Sequence, residues 1–368
     1  MTGTEVLPIA RTLSVMLTHK CNAECTHCGT LSGPKVGGRA DLETVLAAID
    51  QAAEIGFANV VFTGGEPTIY FDDLLASIAH AGKLGLITRV VTNGGWCKTP
   101  ERTDRKLERL IDAGLQEINF SAGDEHQRFI SLEYVVNGIV SALDHRLPIH
   151  LMIEKVKLRN VTKEVVLDHK ALRSHPHLER LGISESPWMP LDPFQINEYE
   201  GGHTANADNI SHFSGCDSIL QTYVLHPLGE VTSCCGIGAR VISELRSEQD
   251  FKKDKKDSLS ASIIDAEEDF LKLWMRQEGP EKILHWAASH DPKIKWENMY
   301  AHRCQACARI YADHDVRKVL FDKYEEMIAD VLAKAYLFEK VDLKAVPRWI
   351  SEVSTDSGSR VLLAPTVE

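Results

Sequence analysis

Between Thr12 and Ile183 the sequence alternates six times between a short apolar run and a longer amphipathic stretch. Few architectures accept that order. The runs Thr12–Leu17, Asn59–Thr63, Thr88–Thr92, Glu117–Ser121, Ile149–Val156 and Leu178–Ile183 are rich in Val, Ile and Leu, as buried parallel strands are. Between them, helical spacing covers Asp41–Ile55, Asp72–Lys83, Asp104–Ala113, Leu132–Leu143 and Thr162–Arg173. Asp41 is placed to cap the first helix, and Gly56 follows its end. Parallel strands joined by helical crossovers define an α/β fold: a partial (β/α)6 TIM-like barrel or a flavodoxin-like open sheet. Periodicity does not separate the two. In both, ligands gather at the C-terminal ends of the strands.

The alternation stops after Ser184. Residues 184–215 are rich in Pro, Gly and Asn and read as a long loop of the kind often found beside an active site. Beyond it, Tyr223–His226 and Glu230–Ser233 form a hairpin pattern around Pro227-Leu228-Gly229. Helices are expected over Asp265–Gln277, Pro280–Ser289 and Val316–Leu337, and a lysine-rich stretch at Lys252, Lys253, Lys255 and Lys256 reads as solvated surface. The formal charge of −12 argues against nucleic acid as a partner. No apolar run reaches the ~20 residues of a membrane span, and the N-terminus lacks a signal-peptide pattern, so a cytoplasmic location is expected. Nine cysteines are then notable, because grouped cysteines in a reducing compartment point to metal binding or catalysis.

The first group, C-x3-C-x2-C at Cys21, Cys25 and Cys28, directly follows the first strand. Three thiolates can hold three corners of a [4Fe–4S] cubane and leave the fourth iron open to a substrate. The alternative is zinc, with His19 or His27 as fourth ligand. After the second strand comes Thr63-Gly64-Gly65-Glu66-Pro67, where two glycines permit close backbone approach to a ligand and Glu66 adds an acceptor. Together the two motifs resemble the radical SAM superfamily over about Thr12–Ser184. The resemblance implies S-adenosylmethionine (SAM) chelated to the open iron, and reductive cleavage to a 5′-deoxyadenosyl radical. It further implies that Gly64, Gly65 and Glu66 bind the methionyl amino group and that His27 packs near adenine. Asn93 and Ser121 stand where the family places polar contacts to SAM, although ordinary loop capping would also explain them. An electron donor such as flavodoxin or ferredoxin is implied as a partner.

The later cysteines read C-x12-G-x4-C from Cys216 to Cys234, followed by Cys304-x2-Cys307. This resembles the SPASM and Twitch extensions of radical SAM peptide-modifying enzymes. No cysteine follows Cys307, so the single-cluster Twitch version fits, with one auxiliary [4Fe–4S] cluster on Cys216, Cys234, Cys304 and Cys307; structural zinc is the alternative. The implied organisation is a barrel at 1–184, a connecting loop at 185–215, a Twitch-like domain at 216–312, and a C-terminal helix and tail at 313–368. Cys235 is surplus to the cluster set and could return a hydrogen atom to a substrate radical. Cys97, after the third strand, is a weaker donor candidate. Three functions follow: a peptide epimerase using Cys235, an oxidative maturase forming a crosslink or thioether, and a zinc-binding protein without catalysis. The substrate is a peptide or a small sugar or amino-acid derivative. About eleven residues precede the first strand, so a peptide would bind the barrel or the 184–215 loop directly. Glu185, Asp192, Glu198 and Glu200 could meet a basic substrate, or be solvated surface charge.

Overall fold

The computed structural model describes residues 11–156, 158–187, 191–192, 194–196, 204–236, 238–248, 250–251 and 258–340. Its first part contains β1 (Thr12–Thr18), α1 (Leu42–Ile55), β2 (Asn59–Gly64), α2 (Phe71–Lys83), β3 (Ile87–Thr92), α3 (Pro100–Asp112), β4 (Glu117–Ala122), α4 (Asp124–Gln127), α5 (Leu132–Asp144), β5 (Ile149–Lys155), α6 (Lys163–Leu167) and β6 (Leu181–Pro187). All six strands pair in parallel, in sequential order. A flavodoxin-like sheet reverses direction at a switch point. Here there is no reversal from β1 to β6, so the partial-barrel expectation holds and the open-sheet alternative does not.

The second part contains β7 (Thr222–Leu225), β8 (Val231–Thr232), α7 (Gly238–Val241), α8 (Ser258–Glu267), α9 (Phe270–Glu278), α10 (Pro280–His290), α11 (Arg303–Ala312), α12 (His314–Lys323) and α13 (Glu325–Lys340). Strand β7 pairs in parallel with β1, from Thr12↔Thr222 to Val15↔Leu225, and β8 turns back antiparallel beside it. The expected hairpin therefore continues the barrel sheet, which has eight strands in the order β6-β5-β4-β3-β2-β1-β7-β8.

Burial alternates along β2, β3 and β4. Val60, Phe62, Val90, Ile118 and Phe120 are fully buried in the core. The half-buried residues between them include Thr63, Val91 and Ser121, which line a cavity. One strand face thus packs the core while the other faces the site.

Several helix boundaries shift for local reasons. Helix α3 contains Asp104–Asp112 of the expected stretch and starts earlier, at Pro100, because Thr99 caps it through the Arg102 N–H and proline is well suited to the first turn. Helix α6 stops at Leu167, short of Arg173; tighter i→i+3 bonds follow, such as Leu172 N–H to His169 O at 2.8 Å. Asp269 accepts from the backbone N–H groups of Leu271 and Lys272, starting α9 and dividing the Asp265–Gln277 stretch. A break at Tyr324 divides Val316–Leu337 into α12 and α13. The sixth strand starts at Leu181, after a short 3-10 turn at Leu178–Arg180. The lysines at 252–256, together with Glu198 and Glu200, lie outside the described residues. Among the described residues, no helix is long and apolar enough to cross a membrane.

Candidate active site

The loop from β1 to α1 carries the first three cysteines, and hydrogen bonds close its base. The Lys20 N–H donates to Thr18 Oγ1 (2.9 Å), Cys21 N–H to Gly33 O (3.1 Å) and Ala40 N–H to Leu17 O (2.8 Å). Inside the loop, N–H groups point at sulfur. Ala23 N–H reaches Cys21 Sγ and Ser32 N–H reaches Cys28 Sγ, each at 3.4 Å. Asn93 Nδ2 also donates to Cys21 Sγ, at 3.4 Å. Such donors serve electron-rich sulfur. Burial pushes the Cys21 thiol up to about 11 and that of Cys25 up to about 12, and neighbouring sulfur charge adds to both. A cationic centre would offset that cost, because metal binding requires deprotonated thiols.

Three thiolates on one loop can each bind a separate iron of a cubane and leave the fourth iron open. Of the two histidines considered for zinc, His19 packs its ring 5.8 Å from that of His226, and its Nδ1 is buried without a hydrogen bond.

The three cysteines open onto a cavity of about 310 Å3 at the C-terminal ends of the strands. His27, Gly64, Gly65, Asn93 and Ser121 also line it. The two glycines are required by close backbone approach. The Gly65 N–H donates to Thr18 O (2.7 Å) and the Glu66 N–H to Lys20 O (2.9 Å). A Cβ at Gly64 would lie 2.4 Å from Thr18 O, and one at Gly65 2.1 Å from Lys20 O. The motif after β2 therefore grips the loop that carries the cysteines.

Glu66 is placed differently from the other candidates. It is 2% exposed and does not line the cavity. Its carboxylate accepts from Thr68 Oγ1 (2.5 Å), Thr92 Oγ1 (2.9 Å) and the Asn93 N–H (2.9 Å), tying the end of β2 to the end of β3. Burial raises its pKa, and these donors counteract the rise. Its visible role is to hold Asn93, which in turn reaches Cys21. Glu66→Ala leaves several buried donors without an acceptor. It is expected to lower unfolding free energy by roughly 2–4 kcal/mol, measured by denaturant titration of the anaerobic protein.

Other wall residues carried no sequence signal. His126, on α4, lies 3.2 Å from the buried carboxylate of Glu154 on β5, and both line the cavity. Met152 and Ser186 do so from β5 and β6. Placement at strand ends is the only cue that could have found them. His302 also lines the cavity, and its Nδ1 accepts from the Cys304 N–H at 3.1 Å, capping α11. Burial lowers its pKa to about 4.

Helix α11 bears Cys304 and Cys307. Together with Cys216 and Cys234 they line a second, small, mostly apolar hollow with Ile219, Met275, Pro280 and Arg303. The backbone crowds this site: a Cβ at Gly236 would lie 2.7 Å from Cys304 Sγ. Burial and neighbouring sulfur charge push the Cys234 and Cys307 thiols well above their ordinary range. Cys235 is exposed as a residue, yet its thiol is pushed up by burial and bonds to the side chains of Ser218 and Thr222. It lines neither this hollow nor the first cavity. Cys97 is fully buried against Gly138 and lines neither.

Known proteins resemble the chain at several levels. Residues 15–153 match the Radical SAM superfamily. The PqqA peptide cyclase of Gluconobacter oxydans is 36% identical over 109 residues, 29% of this chain and 29% of that protein. The PqqA peptide cyclase of Granulibacter bethesdensis is 27% identical over 165 residues, 44% of this chain and 41% of that protein. The chain thus spans less than half the length of these curated relatives. The solved structure of histidine-tagged anSMEcpe with bound AdoMet shares the fold, with a TM-score of 0.51, 13% identity, and coverage of 85% of this chain and 99% of that one. The matched segment, residues 15–153, holds the three-cysteine loop and the glycine pair that grips it, and over that segment the chain is similar to the Radical SAM superfamily.

Proposed function

We propose that the chain is an oxidative radical SAM peptide maturase. In this reading Cys21, Cys25 and Cys28 hold the SAM-binding cluster, and Cys216, Cys234, Cys304 and Cys307 hold an auxiliary one. The cluster and SAM, when bound, supply a 5′-deoxyadenosyl radical able to abstract a substrate hydrogen. The chain's residues supply position. The Glu66–Asn93 chain orients the rim at Cys21, and the cavity between β1 and β6 seats the reacting groups away from bulk water. His302 bears most on the choice of outcome, because it lies in the wall of the first cavity and caps the helix that carries two of the four later cysteines. A substrate radical formed in that cavity would have a second redox centre close by to take its electron.

Peptide as substrate is supported by the two peptide cyclase relatives. The epimerase reading needs a thiol facing the substrate, and Cys235 lines neither cavity. The test supplies reconstituted protein with SAM, reductant and a panel of encoded short peptides in D2O. The expected product is lighter by two hydrogens, carries no solvent deuterium at carbon, uses about one SAM per bond formed, and persists in Cys235→Ala. A product that keeps all its hydrogens but is heavier by one mass unit from a single carbon-bound deuterium, and that is lost in Cys235→Ala, would establish epimerisation instead.

A further inference from the structure

Helix α3 carries Arg102, Arg105, Lys106 and Arg109 at i, i+3, i+4 and i+7, which share one helix face. With Lys98 and Trp96 they line a surface hollow of about 470 Å3. Lys98, Arg102 and Arg105 are exposed and have no ion-pair partner among the described residues, while Arg109 is 3.4 Å from exposed Asp72. The Lys106 ammonium sits 5.0 Å from the Phe71 ring centroid and 6.0 Å from that of Trp96, and the Arg109 guanidinium 4.8 Å from Phe71. Five cations, two of them over aromatic rings, gather positive charge on one face of a chain whose net charge is −12. Their mutual repulsion is relieved when an anionic surface docks.

Trp96 connects this face to the interior. Its Nε1–H donates to Thr92 Oγ1 at 3.0 Å. Thr92 is bonded to Asn93, whose Nδ2 donates to Cys21 Sγ at 3.4 Å. Two hydrogen bonds and one dipeptide therefore join the floor of the basic hollow to a sulfur of the SAM site. We infer that this face docks a small, acidic, one-electron donor protein of the flavodoxin or ferredoxin type, and that its electron enters by way of Trp96. The inference rests on the radical SAM reading. Each transfer oxidises the donor by one electron and reduces the site held by Cys21, Cys25 and Cys28 by one; no atom moves between the partners.

Binding of oxidised flavodoxin to the reconstituted protein provides a readout that needs no turnover. Affinity is expected to fall steeply with salt, and to drop about tenfold or more in Arg102→Glu/Arg105→Glu at low salt. Flavodoxin-driven 5′-deoxyadenosine formation should fall in parallel, while formation driven by reduced methyl viologen stays unchanged. Trp96→Leu should keep flavodoxin affinity and slow the bleaching of cluster absorbance by reduced flavodoxin. Equal affinity of the wild-type and charge-reversed proteins would overturn the docking surface. Binding of inorganic phosphate in the hollow without flavodoxin binding would also overturn it, assigning the hollow to a small anion. Undiminished bleaching in Trp96→Leu would overturn the route. Failure of methyl viologen to produce deoxyadenosine in the wild type would instead sink the radical SAM reading, with the binding result still deciding the surface.

Discussion

Gly65→Ala is expected to empty the SAM-binding cluster site and abolish 5′-deoxyadenosine formation while leaving most of the fold standing. The added Cβ would lie 2.1 Å from Lys20 O, 2.6 Å from Lys20 C and 2.9 Å from His19 C. All three are backbone atoms of the chain that leads into Cys21, so no side chain can rotate to make room. The Gly65 and Glu66 N–H bonds to Thr18 O and Lys20 O would have to break or lengthen, and the cysteine loop would lift from its base. Overpacking of this kind costs about 1–3 kcal/mol or more where the backbone must move, and the displacement falls on a metal ligand. The check is iron content after anaerobic reconstitution, expected to fall from about eight to about four per chain as one of two cubanes is lost. Gly37→Ala is the control in the same loop, since its Cβ would meet nothing within 4 Å. Full iron and full activity in Gly65→Ala would show that the glycine is not needed for the grip.

This glycine pair illustrates how much of the site the sequence carried. The spacing of Cys21, Cys25 and Cys28 and the glycines after the second strand were legible, because both are local patterns with a direct chemical meaning. So was their meeting place, because strand order and the C-terminal-end rule bring loops from β1 and β2 together. What the motif's residues touch was not legible. Gly64 and Gly65 were expected to approach a ligand; they line the cavity, but the atoms that forbid a side chain belong to Thr18, Lys20 and His19. Glu66 was expected at the methionyl amine; its carboxylate accepts from Thr68, Thr92 and Asn93, partners fixed only when β2 and β3 lie side by side. His302 and Glu154 were missed because nothing local marks them: one owes its place to the docking of α11, the other to the length of β5. The hairpin at β7 and β8 was legible as a hairpin, but its pairing with β1 joins segments far apart in the chain and leaves no periodic trace.

Cys307→Ala is expected to separate SAM cleavage from product formation. Cys307, on α11, shares a hollow with Cys216, Cys234 and Cys304, and its Sγ contacts Met275 Sδ at 3.5 Å. Removing it leaves three sulfurs and a gap; of the other lining residues, Ile219 and Pro280 carry no ligand atom, the Arg303 guanidinium is cationic, and Met275 offers only a neutral thioether. The auxiliary site should then fail to hold iron, and content should fall from about eight to about four per chain. The first cavity draws its ligands from the β1 loop, so deoxyadenosine should still form. Modified peptide should fall further than the ~10–100-fold typical of disturbing a ligand's outer partners, because a ligand itself is gone. Cys235→Ala supplies the contrast, since that residue lies outside both cavities and its loss should change neither iron nor product. Two results would defeat the reading. Wild-type protein with about four irons and about one zinc would make the second site structural. Normal product from a Cys307→Ala chain lacking auxiliary iron would show that the substrate's electron leaves by another route.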